Sequence, residues 1–131
     1  MSSDSPMPFR ENASILILEH TQNGQDVLSD FLQEADLSYA FLKDLEQLRD
    51  VLSTATPSLI LFDLDAPGTD ATAFVNVLRI YGKQSIPLVG LTAGDIEDVQ
   101  YTCFEAGVDA ILSKPVKKVE LAGIVTIFMP A

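Results

Sequence analysis

Ser58-Leu59-Ile60-Leu61-Phe62-Asp63 is an apolar run that ends on an aspartate. A short apolar run bounded by turn signals reads as a buried strand of a parallel sheet. Two more runs of this kind follow. Ile86-Pro87-Leu88-Val89-Gly90-Leu91-Thr92 ends on a hydroxyl, and Ala110-Ile111-Leu112-Ser113-Lys114-Pro115 ends on a lysine and a proline. In open α/β sheets, ligands bind outside the carboxyl ends of the strands. The pattern therefore predicts that a carboxylate, a hydroxyl and an ammonium converge at one sheet edge. Those groups are an anionic nucleophile, a hydrogen-bond donor and a cation, a set suited to phosphoryl transfer onto Asp63.

Outward from these runs, strand and helix alternate five times. Ser14–Leu18 and Leu37–Leu42 are the first two predicted strands, followed by Ser58–Phe62, Ile86–Leu91 and Ala110–Leu112. The helices are predicted over Asn23–Ala35, Asp44–Thr54, Asp70–Ile80, Asp95–Ala106 and Lys117–Met129. Val27, Leu28, Phe31 and Leu32 recur at helical spacing, as do Leu45, Leu48, Val51 and Leu52. Asp44 and Asp70 are expected N-caps, Pro67-Gly68 a turn, and Gly107 the residue that ends the fourth helix. Regular βα alternation implies right-handed crossovers and a parallel sheet covered by helices on both faces. The expected strand order is 2-1-3-4-5, with two helices on one face and three on the other.

The chain has 131 residues, enough for one domain with a substantial core. Its expected division is a polar lead-in over residues 1–13 and a single domain over 14–131. No apolar run is long enough to span a bilayer, and Met1 to Ser14 lacks the parts of a signal peptide. One cysteine, Cys103, allows no internal disulfide, which fits a reducing cytoplasm and inert packing. The net charge is -11, and residues 1–65 carry 12 acids against 3 bases. That balance argues against direct contact with nucleic acid or an anionic membrane. The acidic surface is either merely solvated or attracts a cation or a basic partner.

Asp63 with Pro67-Gly68, Leu91-Thr92-Ala93, Glu105-Ala106-Gly107-Val108-Asp109 and Lys114-Pro115 stand in order, with Thr92 and Lys114 respectively 29 and 51 residues after Asp63. In these fragments the chain resembles the receiver domains of two-component signalling, the CheY-like family, from about Ser14 to Met129. The resemblance implies a flavodoxin-like three-layer sandwich of five strands and five helices. It implies that Asp63 accepts a phosphoryl group from a histidine kinase or phosphotransfer protein. It also implies that Thr92 bonds a phosphoryl oxygen and moves with it, and that Lys114 pairs with Asp63 or its phosphate. The expected outcome is a switched protein–protein surface rather than an enzyme, with at most self-phosphorylation and self-dephosphorylation at Asp63.

The family also binds Mg²⁺ through an acidic pair at the end of the first strand, through the acceptor, and through the backbone carbonyl two residues on. Here those positions are Glu19-His20, Asp63 and Asp65. His20 stands where a carboxylate usually touches the metal, and imidazole is a poor Mg²⁺ ligand. The expected site is weak or absent, with His20 a substitution at the rim or, protonated among acids, a partial stand-in for the cation. Ile111 occupies a position where the family usually carries an aromatic reporter of the switch.

Two alternatives remain open. One is a pseudo-receiver, a protein-binding module that is not phosphorylated. The other is a haloacid-dehalogenase-like phosphatase, whose opening motif Phe62-Asp63-Leu64-Asp65 resembles, although two βα units precede it here. In the last helix, Leu121, Val125 and Phe128 are expected to face the sheet. Ile124 and Ile127 would then lie near the exposed side, flanked by Val119 and Gly123, as a surface for an output domain or dimer partner.

Overall fold

The computed structural model describes residues 14–129, so the expected lead-in over 1–13 lies outside the described residues. The strands are β1 (Ile15–Leu18), β2 (Tyr39–Phe41), β3 (Leu59–Asp63), β4 (Leu88–Thr92) and β5 (Ala110–Ser113). The helices are α1 (Gln22–Glu34), α2 (Leu45–Leu52), α3 (Ala71–Ile80), α4 (Ile96–Ala106) and α5 (Lys118–Phe128). The sheet is wholly parallel in the order β2-β1-β3-β4-β5, as the alternation predicts.

Both faces of the sheet are apolar because successive strand residues point to opposite sides. Leu16, Ile60 and Phe62 pack with α2, α3 and α4, through Leu48, Val51, Phe74, Leu78 and Cys103. Ile15, Ile17, Leu59 and Leu61 pack on the other side with Leu28 and Leu32 of α1 and Leu121 and Ile124 of α5. That is the expected split of three helices and two. The central strand is buried throughout, whereas the edge strands β2 and β5 are only partly covered.

Local chemistry places the helix starts. Asp44 accepts a hydrogen bond from the Gln47 amide at 2.9 Å, and Asp70 from the Thr72 amide at 2.9 Å. Each such cap contributes about 1 kcal/mol. Gly107 ends α4 with φ +117°, in the left-handed region where a side chain is strained.

The last helix corrects one expectation. Ile124 is buried, at 8% exposure, while Ile127 and Val119 are 68% and 77% exposed. Positions i+3 and i+4 flank the same stripe of a helix. Leu121 and Ile124 are seated against the sheet with Phe128 partly buried beside them, Val125 is only partly buried, and Val119, Gly123 and Ile127 turn outward.

Candidate functional site

The strand register builds the site one step at a time. Leu18 pairs with Phe62, so Glu19 and Asp63 leave the sheet side by side. Asp63 pairs with Leu91, which places Thr92 one residue further out. Thr92 pairs with Ser113, which places Lys114 one residue beyond that. The three expected residues Asp63, Thr92 and Lys114 thus meet at the carboxyl edge, with Glu19 and His20 beside them. Asp63, Glu19 and Thr92 are the buried polar side chains among the described residues.

Lys114 joins the acids. Its Nζ donates to Asp63 Oδ1 at 2.9 Å, lies 3.4 Å from both carboxylate oxygens of Glu19, and lies 3.5 Å from Asp65 Oδ2. The Asp65 backbone amide also donates to Asp63 Oδ1, at 2.8 Å. On the other oxygen, Oδ2 of Asp63 is hydrogen-bonded to His20 Nδ1. Burial alone would raise the pKa of Asp63. The hydrogen bonds from Lys114, the Asp65 amide and His20, with the charge of Lys114, outweigh it and bring the value down to about 2. Burial likewise pulls against the Lys114 ammonium, but its bond to Asp63 and the charges of Glu19, Asp63 and Asp65 raise its pKa. At neutral pH Asp63 is therefore an ionised carboxylate with a cation against it.

Glu19 is fixed by residues that the strand-end pattern did not single out. The Thr21 amide and hydroxyl both donate to Glu19 Oε2, at 3.0 and 2.8 Å, and the Gly24 amide donates to Thr21 Oγ1 at 3.0 Å. A Cβ on Gly24 would come within 2.5 Å of Glu19 Cδ, so the bare glycine leaves space for the carboxylate. The available signal was Thr21 three residues before Gly24, an N-cap at the start of α1.

Glu19, His20 and Asp63 each offer a ligand atom, and these atoms lie within 4.8 Å of one another. Two carboxylates suit a hard cation, but the third donor is an imidazole and Lys114 already lies on both acids. With an imidazole as the third donor, the set suits Mg²⁺ less well than one built from carboxylates alone. Asp65 sends its carboxylate away from this group, toward β4. Its Oδ1 accepts from Thr92 Oγ1 at 2.8 Å and its Oδ2 from the Ala93 amide at 2.7 Å. Ile111 is partly buried against the α2–α4 side of the core. A cleft of about 640 Å³, lined by His20, Gln25, Lys43, Asp44 and Pro67, opens onto Asp63 from the His20 side.

Comparison with known proteins gives this edge a context. Residues 15–126 match the family model of the response regulator receiver domain. The sensor histidine kinase RcsC of Escherichia coli K12 is 26% identical over 115 residues, which cover 88% of this chain and 12% of that protein. The chain thus spans about an eighth of the length of that relative. Among solved structures, the receiver domain of sensor histidine kinase PA1611 from Pseudomonas aeruginosa has a magnesium ion coordinated in its active-site cleft. It superposes with TM-score 0.76 at 24% identity, covering 89% of this chain and 97% of that one. The co-crystal structure of the Saccharomyces cerevisiae phosphotransfer protein Ypd1 and the receiver domain of Ssk1 matches with TM-score 0.75 at 23% identity, covering 88% of each chain.

Proposed function

The chain belongs to the response regulator receiver domains of two-component signalling, and from that premise we propose that Asp63 accepts a phosphoryl group from a phosphohistidine. The donor is a histidine kinase or a phosphotransfer protein, as in the yeast complex of a phosphotransfer protein with a receiver. The observation that carries this reading is the Lys114 ammonium 2.9 Å from Asp63 Oδ1, on a carboxylate that stays ionised down to about pH 2.

The chemistry follows from these groups. An Asp63 oxygen attacks phosphorus, an O–P bond forms, and the N–P bond to the donor imidazole breaks. The donor nitrogen keeps the electron pair of that bond. Lys114 neutralises charge on the transferring oxygens, and the Thr92 hydroxyl and Ala93 amide are donors for them.

The receiver unit spans residues 14–131 in this reading, with 1–13 a polar lead-in, and it works in the cytoplasm. Among the described residues no helix is long and apolar enough to cross a membrane. The output passes through protein contact at α4, β5 and α5. Tyr101 and Phe104 of α4 and Val119 and Ile127 of α5 are exposed apolar side chains there. Ile127 replaces Ile124 as the centre of the α5 contribution. An output domain or a second copy would bind this surface.

A second reading, a protein-binding module that is not phosphorylated, draws support from the His20 bond to Asp63 Oδ2. Phosphotransfer from a radiolabelled kinase or phosphotransfer protein separates the two. Wild type is expected to take label and Asp63→Asn none, because the amide keeps the shape and removes the nucleophile. Label on the Asn variant at the wild-type rate would overturn the assignment, and no label on wild type from a competent donor would favour the second reading.

A further inference from the structure

We propose that the Asp65 carboxylate is a built-in occupant of the pocket that receives the phosphoryl oxygens, and that it must leave before a phosphoryl group can be held there. The inference rests on the reading of Asp63 as acceptor and adds a residue that sets how readily that acceptor is loaded.

Three donors define the pocket: the Thr92 hydroxyl, the Ala93 amide and the Lys114 ammonium. All three face Asp65. Thr92 Oγ1 donates to its Oδ1 at 2.8 Å, the Ala93 amide to its Oδ2 at 2.7 Å, and Lys114 Nζ lies 3.5 Å from Oδ2. A hydroxyl, an amide and an ammonium converging on one anion is the arrangement that stabilises phosphoryl oxygens. Here both oxygens of a carboxylate fill it.

Repulsion alone would not put Asp65 there. Asp63 and Glu19 are buried acids on the same ammonium, and the Asp65 side chain is 33% exposed, so a path to solvent exists. It turns inward because the donors outweigh the like charges. The backbone assists: the Asp65 amide is tied to Asp63 Oδ1, which directs the side chain across to β4. The lowered pKa of Asp65 agrees. Burial opposes ionisation, and the Ala93 amide, the Thr92 hydroxyl and Lys114 outweigh burial and the Asp63 charge.

An incoming phosphoryl group needs the same donors, so the two anions compete. Loading Asp63 requires Asp65 to swing into solvent, and loss of the phosphoryl group lets it return. Until then Thr92 is held by an anion of the chain itself.

The test uses the full chain with acetyl phosphate as donor and intact-mass detection of the phosphorylated protein. Asp65→Ala empties the pocket, and charge-assisted hydrogen bonds of this kind predict a gain in loading rate of about tenfold or more. Asp65→Asn, which keeps the shape and loses the charge, falls between. The gain must persist at high salt, where repulsion between separated charges is screened. Asp63 labelled in Asp65→Ala at or below the wild-type rate, or a gain that vanishes with salt, overturns the inference and leaves the acceptor assignment standing.

No label at Asp63 in any variant overturns the acceptor reading instead, and the pocket is then judged without chemistry. Inorganic phosphate is titrated while the Ala93 amide is followed by NMR. That resonance is expected to respond in Asp65→Ala and not in wild type. Equal responses, or an Ala93 amide that Asp65→Asn leaves unmoved, overturn the proposal.

Discussion

Asp63 has two flanks, and they are built on different chemistry. On the β1 flank, Glu19 and His20 offer one carboxylate and one imidazole, and the imidazole bonds Asp63 Oδ2 from the rim. On the β4–β5 flank, Thr92, Ala93 and Lys114 offer a hydroxyl, an amide and an ammonium. The first flank mixes a hard carboxylate donor with an imidazole, while the second gathers three donors suited to an anion. The two flanks differ in donor chemistry but share one cation. Glu19, Asp63 and Asp65 all face one ammonium, so Lys114 supports both flanks at once.

The largest expected effect comes from removing that shared cation. Lys114→Met takes from the buried Glu19 and Asp63 carboxylates the one cation they share and should cost about 3–5 kcal/mol in urea unfolding at neutral pH. The loss should shrink in acid, where the carboxylates can be neutralised. A loss within about 1 kcal/mol, the range of exposed ion pairs, would show that the flanks stand independently.

Acid itself gives the next test. The folded pKa of Asp63 is about 2 against 3.8 for the free side chain. A depressed carboxylate contributes stability that is present above the unfolded value and is lost as pH falls through the folded one. Between about pH 4 and 2 wild type should therefore lose roughly 2 kcal/mol that Asp63→Asn does not lose. Unfolding midpoints of the two proteins without added metal, compared across that window, check it. Parallel pH profiles would show that Asp63 is not held by its donors.

The smallest effect sharpens the β1 flank alone. His20→Asp restores a second direct carboxylate, and Mg²⁺ affinity should rise by about tenfold, roughly 1.4 kcal/mol. Amide shifts at Glu19 and Asp63 during Mg²⁺ titration report it. Equal affinities would mean that the imidazole does not set the weakness of this flank.

Much of this was legible in the residues. Asp63, Thr92 and Lys114 each close an apolar run, and a strand that ends delivers its next side chain to the sheet edge. The caps at Asp44 and Asp70 marked α2 and α3 because their hydrogen bonds reach only two or three residues along the chain. β2 came out shorter than its apolar run, Tyr39–Phe41 rather than Leu37–Leu42, because an edge strand pairs only where β1 runs beside it. Ile124 was misplaced because the spacing along α5 shows a stripe but not which flank of it meets the sheet. Thr21 and Gly24 escaped notice because they act only through Glu19.

The sequence by itself determined the order of strands and helices, the parallel sheet, and the set of groups collected at its carboxyl edge. Those follow from hydrophobic period and local turn chemistry, which act over a few residues. Only the tertiary structure decided which donor each acid meets. Asp65 could have joined Glu19 or turned to Thr92, and Asp63 could have met His20, Lys114 or both. Hydrogen bonds near 3 Å are directional and fail within a fraction of an ångström. They are settled by the one-residue steps in register between β1, β3, β4 and β5, which bring together residues as far apart in sequence as Glu19 and Lys114.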